Sequence, residues 1–130
     1  MKRDFVPNSR DKGAAFERKC ASLIKENLGY DAKRNLDQYQ VGGSDIEIPG
    51  WSIECKAYLK GTTYRKEWWE QCVSNCKDKE PVLIYKFNNH PIKCVLRLNA
   101  ITRNFSSKDL LCEVDFETWC YIVREKINED

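Results

Sequence analysis

Two carboxylates and an amine stand out in the stretch from Gly42 to Lys56, GGSDIEIPGWSIECK. Pro49-Gly50 is a strong turn signal. Asp45-Ile46-Glu47-Ile48 before it alternates polar and apolar, and Trp51-Ser52-Ile53-Glu54-Cys55-Lys56 after it alternates again. With Pro49 and Gly50 as the loop of a β-hairpin, Ile48 faces Trp51, Glu47 faces Ser52, Ile46 faces Ile53 and Asp45 faces Glu54. Ile46, Ile48, Trp51, Ile53 and Cys55 then share a buried face, and Asp45, Glu47, Glu54 and Lys56 share the other. Two ionised carboxylates opposed at about 5 Å repel by roughly 3 kcal/mol at an effective dielectric near 20. A divalent cation turns that repulsion into chelation, and Mg²⁺ takes one or two carboxylates plus water and substrate phosphate. Lys56 lies on the same face, where an ammonium can orient a water or steady a phosphate. The plain alternative is a solvated hairpin face of mixed charge. A bulge at the turn would exchange Glu47 for Asp45.

The elements that must hold this hairpin follow from periodicity. Residues 1–10 are polar and basic and read as a flexible arm; residues 11–130 read as one domain. Asp11 can cap a helix running to about Asn27, with Phe16, Cys20, Leu23, Ile24 and Leu28 as its apolar stripe and Gly29 as its stop. Glu17 sits at the edge of that stripe. Periodicity alone makes it an exposed helix glutamate paired with a nearby Lys or Arg. Tyr30 to Leu36 is a first strand, and Asp37 to Gly43 a polar loop. After the hairpin, Thr62 or Thr63 can cap a second helix over Tyr64 to Lys77, carrying Trp68, Cys72 and Cys76 inward and Gln71 as well. Strands over 81–86 and 92–97 flank an Asn88-Asn89-His90-Pro91 turn. Residues 98–109 have no readable pattern. Leu110 to Val114 suits a short edge strand, and Asp115 can cap a last helix with Phe116, Trp119, Cys120, Val123 and Ile127 inward. The order αβββαββ(β)α predicts an α/β domain, a central mixed sheet flanked by helices. The charged face of the hairpin would border a cleft that the first helix reaches with Glu17.

Composition narrows the class. With 42% apolar residues the chain can fill a single core, and no apolar run approaches ~18 residues, so no membrane span is expected. The N-terminus has no apolar stretch of the secretory kind, and the expected location is cytoplasmic. Seven cysteines without a C-x-x-C, and one histidine, argue for reduced, mostly buried thiols over a zinc site. Residues 1–34 carry nine basic and five acidic side chains, whereas residues 109–130 carry two and seven. A basic front half suits a phosphate backbone, and an ordinary solvated surface would look the same.

Asp45 followed by Glu54-Cys55-Lys56 resembles the PD-(D/E)XK nuclease superfamily, whose pattern is an acidic residue on one strand and (D/E)-x-K on the next. Ser44 stands where the leading proline would be. Lys12-Gly13, Phe16-Glu17, Ile48-Pro49-Gly50, Ile53-Glu54-Cys55-Lys56, Trp68/Trp69 with Gln71, and the Asn88 to Pro91 turn together resemble the small phage-encoded, Holliday junction resolvase-like endonucleases, over about residues 12–97.

That resemblance implies a restriction-endonuclease-like core and metal-dependent hydrolysis of phosphodiesters. It implies that Asp45, Glu54 and the Cys55 carbonyl bind Mg²⁺ or Mn²⁺ and that Lys56 supports the attacking water. It further implies that Glu17 completes the acidic set, reversing the reading from periodicity, that Gln71 positions water or phosphate, and that Glu47 is a decoy. Arg3, Arg10, Lys12, Lys60, Arg65 and Lys66 would hold DNA backbones, with salt-sensitive affinity. The expected substrate is branched DNA, a four-way junction, cut by a homodimer, with no membrane or nucleotide cofactor involved. If the chain is viral, its place is the host-cell cytoplasm. Trp51, Trp69, Leu110 and Trp119 are candidates for the dimer surface and suit the core equally. Two other functions compete: a repair- or restriction-like nuclease on duplex or nicked DNA, and a non-catalytic nucleic-acid-binding module of the same fold.

Overall fold

The computed structural model describes residues 9–34 and 43–129, with side-chain surroundings for residues 13–34 and 43–126. Residues 1–8 of the expected arm, and most of the loop expected over 37–43, lie outside the described residues. Helix α1 spans Ser9–Leu28, starting two residues before Asp11. Phe16, Cys20 and Ile24, one turn apart, are its buried stripe. Gly29, at φ +79°, ends it by donating its N–H to the Lys25 carbonyl at 3.0 Å.

Strand β1 is short, Lys33–Arg34, and pairs antiparallel with β2, Ile46–Ile48. β2 turns through Pro49-Gly50 into β3, Trp51–Tyr58. The register is the expected one: Ile46 faces Ile53, Glu47 faces Ser52 and Ile48 faces Trp51. Proline supplies the first turn residue and Gly50, at φ +83°, the second, the pattern of a type II turn. Helix α2, Lys66–Asn75, carries the chain over the sheet to β4, Glu80–Phe87, which pairs parallel with β3. β5, Lys93–Arg97, and β6, Leu111–Asp115, complete an antiparallel far side. The six strands lie in sequence order. Between β5 and β6, residues 98–100 form one 3₁₀ turn. Asp115 caps α3, Phe116–Glu129, accepting the Thr118 N–H at 2.7 Å; that bond holds the Asp115 carboxyl below its ordinary range.

Helix α2 starts later than expected. Arg65, extended at φ −91°, precedes it, and no side chain caps it there; Thr62 and Thr63 are exposed.

The sheet is covered on both faces. Under α1 and α3 lies an apolar core that includes Ile46, Ile53, Val82, Ile84, Leu96 and Trp119. Under α2 lies a second one, Trp68, Cys72, Leu83, Tyr85, Phe87 and Val95. Strand β3 divides between them. Trp51, Ile53 and Cys55 join the first, while Ser52, Glu54, Lys56 and Tyr58 alternate onto the α2 side. The solvated-face alternative therefore fails at Glu54, which is 1% exposed.

Candidate active site

The hairpin brings Asp45 and Glu54 together. Asp45 stands at the entry to β2, and its Oδ2 accepts the Cys55 backbone N–H at 2.8 Å. The two carboxyls lie within hydrogen-bond reach of each other. Glu54 Oε1 also accepts from Asn75 Nδ2, at the last residue of α2, at 3.0 Å. Burial, and then the Asp45 charge, push the Glu54 carboxyl up to about 8; the Asn75 hydrogen bond and the Lys56 charge oppose the rise. At neutral pH the Glu54 carboxyl accordingly keeps its proton.

Lys56 is two residues along the same face of β3, half-buried, and close enough to act on Glu54. Among the described residues it makes no ion pair. The donor set fits a hard divalent cation: two carboxyls, one of them protonated because burial and its neighbour disfavour a second charge, are the groups a cation would ionise and draw together. Among the described residues no group of three or more His, Cys, Asp and Glu converges in this way. The pair is the part of the expected acidic set that the fold assembles.

Glu17 comes near without joining. Its carboxyl accepts from Arg34 Nη2 on β1 at 3.3 Å. Burial and the Asp45 charge raise its pKa, and the Arg34 contact opposes them. α1 thus delivers Glu17 to within electrostatic range of Asp45, with a guanidinium as its direct partner. Glu47 is engaged elsewhere, by Ser44 Oγ at 3.2 Å and Lys79 Nζ at 3.6 Å, and the register keeps it opposite Ser52.

Gln71 is exposed on α2, one turn before Asn75 and on the same flank. Asn75, which holds Glu54, escaped sequence reading; its four-residue spacing from Gln71 was the available signal. Arg34 gave no signal beyond its place in a weakly alternating strand.

The cationic residues separate. Arg3 lies outside the described residues, and Arg10 and Lys12 fall in the first turns of α1 with side chains outside them. Lys60 is exposed just past β3. The Arg65 guanidinium lies over the rings of Tyr58 and Trp68, at 5.5 and 5.6 Å. Lys66 pairs with Glu70 at 3.6 Å. Of the four residues open to either surface or core, Trp51 and Trp119 are core: they meet edge-to-face at 5.7 Å, and Trp119 is fully buried. Trp69 is half-buried, and Leu110 is 44% exposed. The seven cysteines are free and six are buried. Burial raises the thiols of Cys72 and Cys94 well above their ordinary range and keeps them protonated. Among the described residues no helix is long and apolar enough to cross a membrane.

Comparison with known proteins bears on this geometry. A family model described as "Phage putative PDDEXK endonuclease" matches residues 8–126. Among solved structures, the chain is similar to Hjc of Archaeoglobus fulgidus, a Holliday junction resolvase from an archaeal hyperthermophile. The TM-score is 0.52 at 16% identity, covering 82% of this chain and 91% of that one. The shared element is the mixed sheet with its flanking helices. A search of curated proteins finds no match.

Proposed function

The chain belongs to the phage PDDEXK endonuclease family, and from that premise we propose that it is a Mg²⁺- or Mn²⁺-dependent DNA endonuclease acting on branched DNA as a homodimer. The observation that carries the reading is the half-buried Asp45 set against the buried Glu54, with Lys56 beside them. A divalent cation, when bound, supplies positive charge for the scissile phosphate and the departing 3′ oxygen. Asp45 and Glu54 would hold it, with the Cys55 carbonyl as a third oxygen. Asn75 fixes the Glu54 carboxyl, so the ligand does not swing. Lys56 presents its ammonium to the attacking water and the phosphate. Gln71, from the exposed flank of α2, orients the same phosphate. Glu17 acts on the pair electrostatically from its contact with Arg34, and would complete the acidic set around a bound cation.

Branched DNA is favoured over a duplex sequence by two features. Among the described residues the candidate DNA-holding cations lie on a loop (Lys60) and at the starts of two helices (Arg10, Lys12, Arg65 and Lys66), a distribution that suits contact with backbone and shape. The fold is similar to that of an archaeal Holliday junction resolvase, and a junction offers two symmetric strands to a two-fold dimer. The test is cleavage of labelled four-way junction, duplex, flap and single-stranded DNA with Mg²⁺ or Mn²⁺. Paired symmetric nicks on the junction alone are expected. Equal cutting of every DNA would leave an endonuclease and overturn the junction preference. Binding without cutting of any DNA would favour a non-catalytic module.

A further inference from the structure

Strand β3 does not end at its catalytic row. Beyond Glu54 and Lys56, the next residue on the same face is Tyr58, whose ring stacks on Trp68 of α2 at 4.8 Å between centroids and 9° between planes. Trp68 is buried and leans in turn on Tyr85 and Phe87. The platform is fixed from behind at Gly61, where the chain passes so close to Phe87 that a Cβ would fall 2.3 Å from its ring. Over this platform lies the Arg65 guanidinium. Arg65 is exposed, and among the described residues it has no carboxylate partner.

A guanidinium held against aromatic rings by cation–π attraction has already lost part of the freedom that a solvated arginine loses on binding, and it keeps N–H donors for a further partner. A fork of donors in one plane matches the two free oxygens of a phosphodiester. We propose that Arg65, held on Tyr58 and Trp68, is a positioning residue that clamps one backbone phosphate of the cleaved strand by a bidentate contact. The inference rests on the endonuclease reading for the identity of that strand. Tyr58 is four residue steps along β3 from Glu54, about 13 Å at the usual rise, so the clamped phosphate lies within about four nucleotides of the scissile one. Lys66, the neighbouring cation, pairs with Glu70 at 3.6 Å and lacks the planar fork of donors.

The experiment measures affinity for labelled four-way junction and duplex by fluorescence anisotropy, without divalent metal, so that holding is read apart from cutting. Variants are Arg65→Ala, Arg65→Lys, Tyr58→Leu and, as an exposed cation on another loop, Arg103→Ala, each checked by thermal melting. Arg65→Ala is expected to weaken binding about ten-fold or more. Arg65→Lys, with the charge but not the plane, should lose nearly as much, Tyr58→Leu part of it, and Arg103→Ala less than two-fold. A single methylphosphonate stepped along the strand should weaken wild-type binding at one position near the cut and cost Arg65→Ala nothing more there. Wild-type affinity in Arg65→Lys, or a methylphosphonate penalty that adds to Arg65→Ala at every position, would overturn the clamp. Wild type that binds but never cuts once Mg²⁺ or Mn²⁺ is added, with the Arg65 pattern intact, would overturn the endonuclease reading alone.

Discussion

The two faces of the sheet are both buried, yet they differ in chemistry. Beneath α1 and α3 the side chains are apolar almost throughout, closed by the Trp51–Trp119 edge-to-face pair. Beneath α2 the aromatic core shares its space with ionisable groups. Glu54 is sealed against Asn75 and Asp45, Tyr85 donates to Glu113 at 2.9 Å, and Arg97 reaches Glu80 at 3.7 Å. Burying polar groups costs free energy that apolar packing does not. The first face therefore stabilises the fold, and the second gives up stability to hold two carboxyls in a geometry that suits a cation.

That contrast can be broken by substitution. On the α2 side, Asp45→Asn and Glu54→Gln should lower metal-dependent cleavage by about 10³-fold, the range seen when one charge-stabilising group is removed from an active site. Both should remain folded by circular dichroism, since each amide still accepts the hydrogen bond its carboxylate accepts, from Cys55 or Asn75. On the other face, Trp119→Ala should destabilise by about 3–5 kcal/mol in denaturant unfolding, a large residue lost from a close-packed site. Any activity it loses should return on cooling, as the folded fraction recovers.

The pH dependence sharpens the same contrast. Below about 4.5 the Glu54 carboxyl is protonated folded or unfolded; between about 4.5 and about 8 the unfolded chain gives up its proton while the folded one keeps it. Metal-free stability should therefore fall as pH rises across that window, by a few kcal/mol in all, and stay low above it. Glu54→Gln should flatten the profile, and Mg²⁺ should raise the melting temperature of the wild type most at the alkaline end. A profile of the same slope in wild type and Glu54→Gln would place the cost elsewhere. The smallest effect is expected at Asn75. Asn75→Ala removes the Glu54 hydrogen bond, worth about 1 kcal/mol, and should slow cleavage about five-fold with little change in DNA affinity.

Local patterns made much of this fold readable. The hairpin register followed from Pro49-Gly50 and two alternating strands, because one slip would turn every side chain to the wrong face. The Asp115 cap and the stripe of α3 were equally local. What escaped was set by contacts distant in sequence. Asn75 meets Glu54 and Arg34 meets Glu17 only after the sheet is assembled. The start of α2 moved past Thr62 and Thr63 to Arg65, and the Tyr58–Trp68 stack, across β3 and α2, lies at that start. Trp51 and Trp119 were open to either surface or core, since an apolar side chain does not specify whether its own fold or a second copy covers it.

The central claim is that the Asp45–Glu54 pair carries metal-dependent cleavage. The direct measurement is nicking of a labelled four-way junction by wild type and Glu54→Gln side by side, with Mn²⁺ titrated from zero. Nicks should appear with the metal in wild type and be absent in a folded, DNA-binding Glu54→Gln. Undiminished cleavage by Glu54→Gln would contradict the claim.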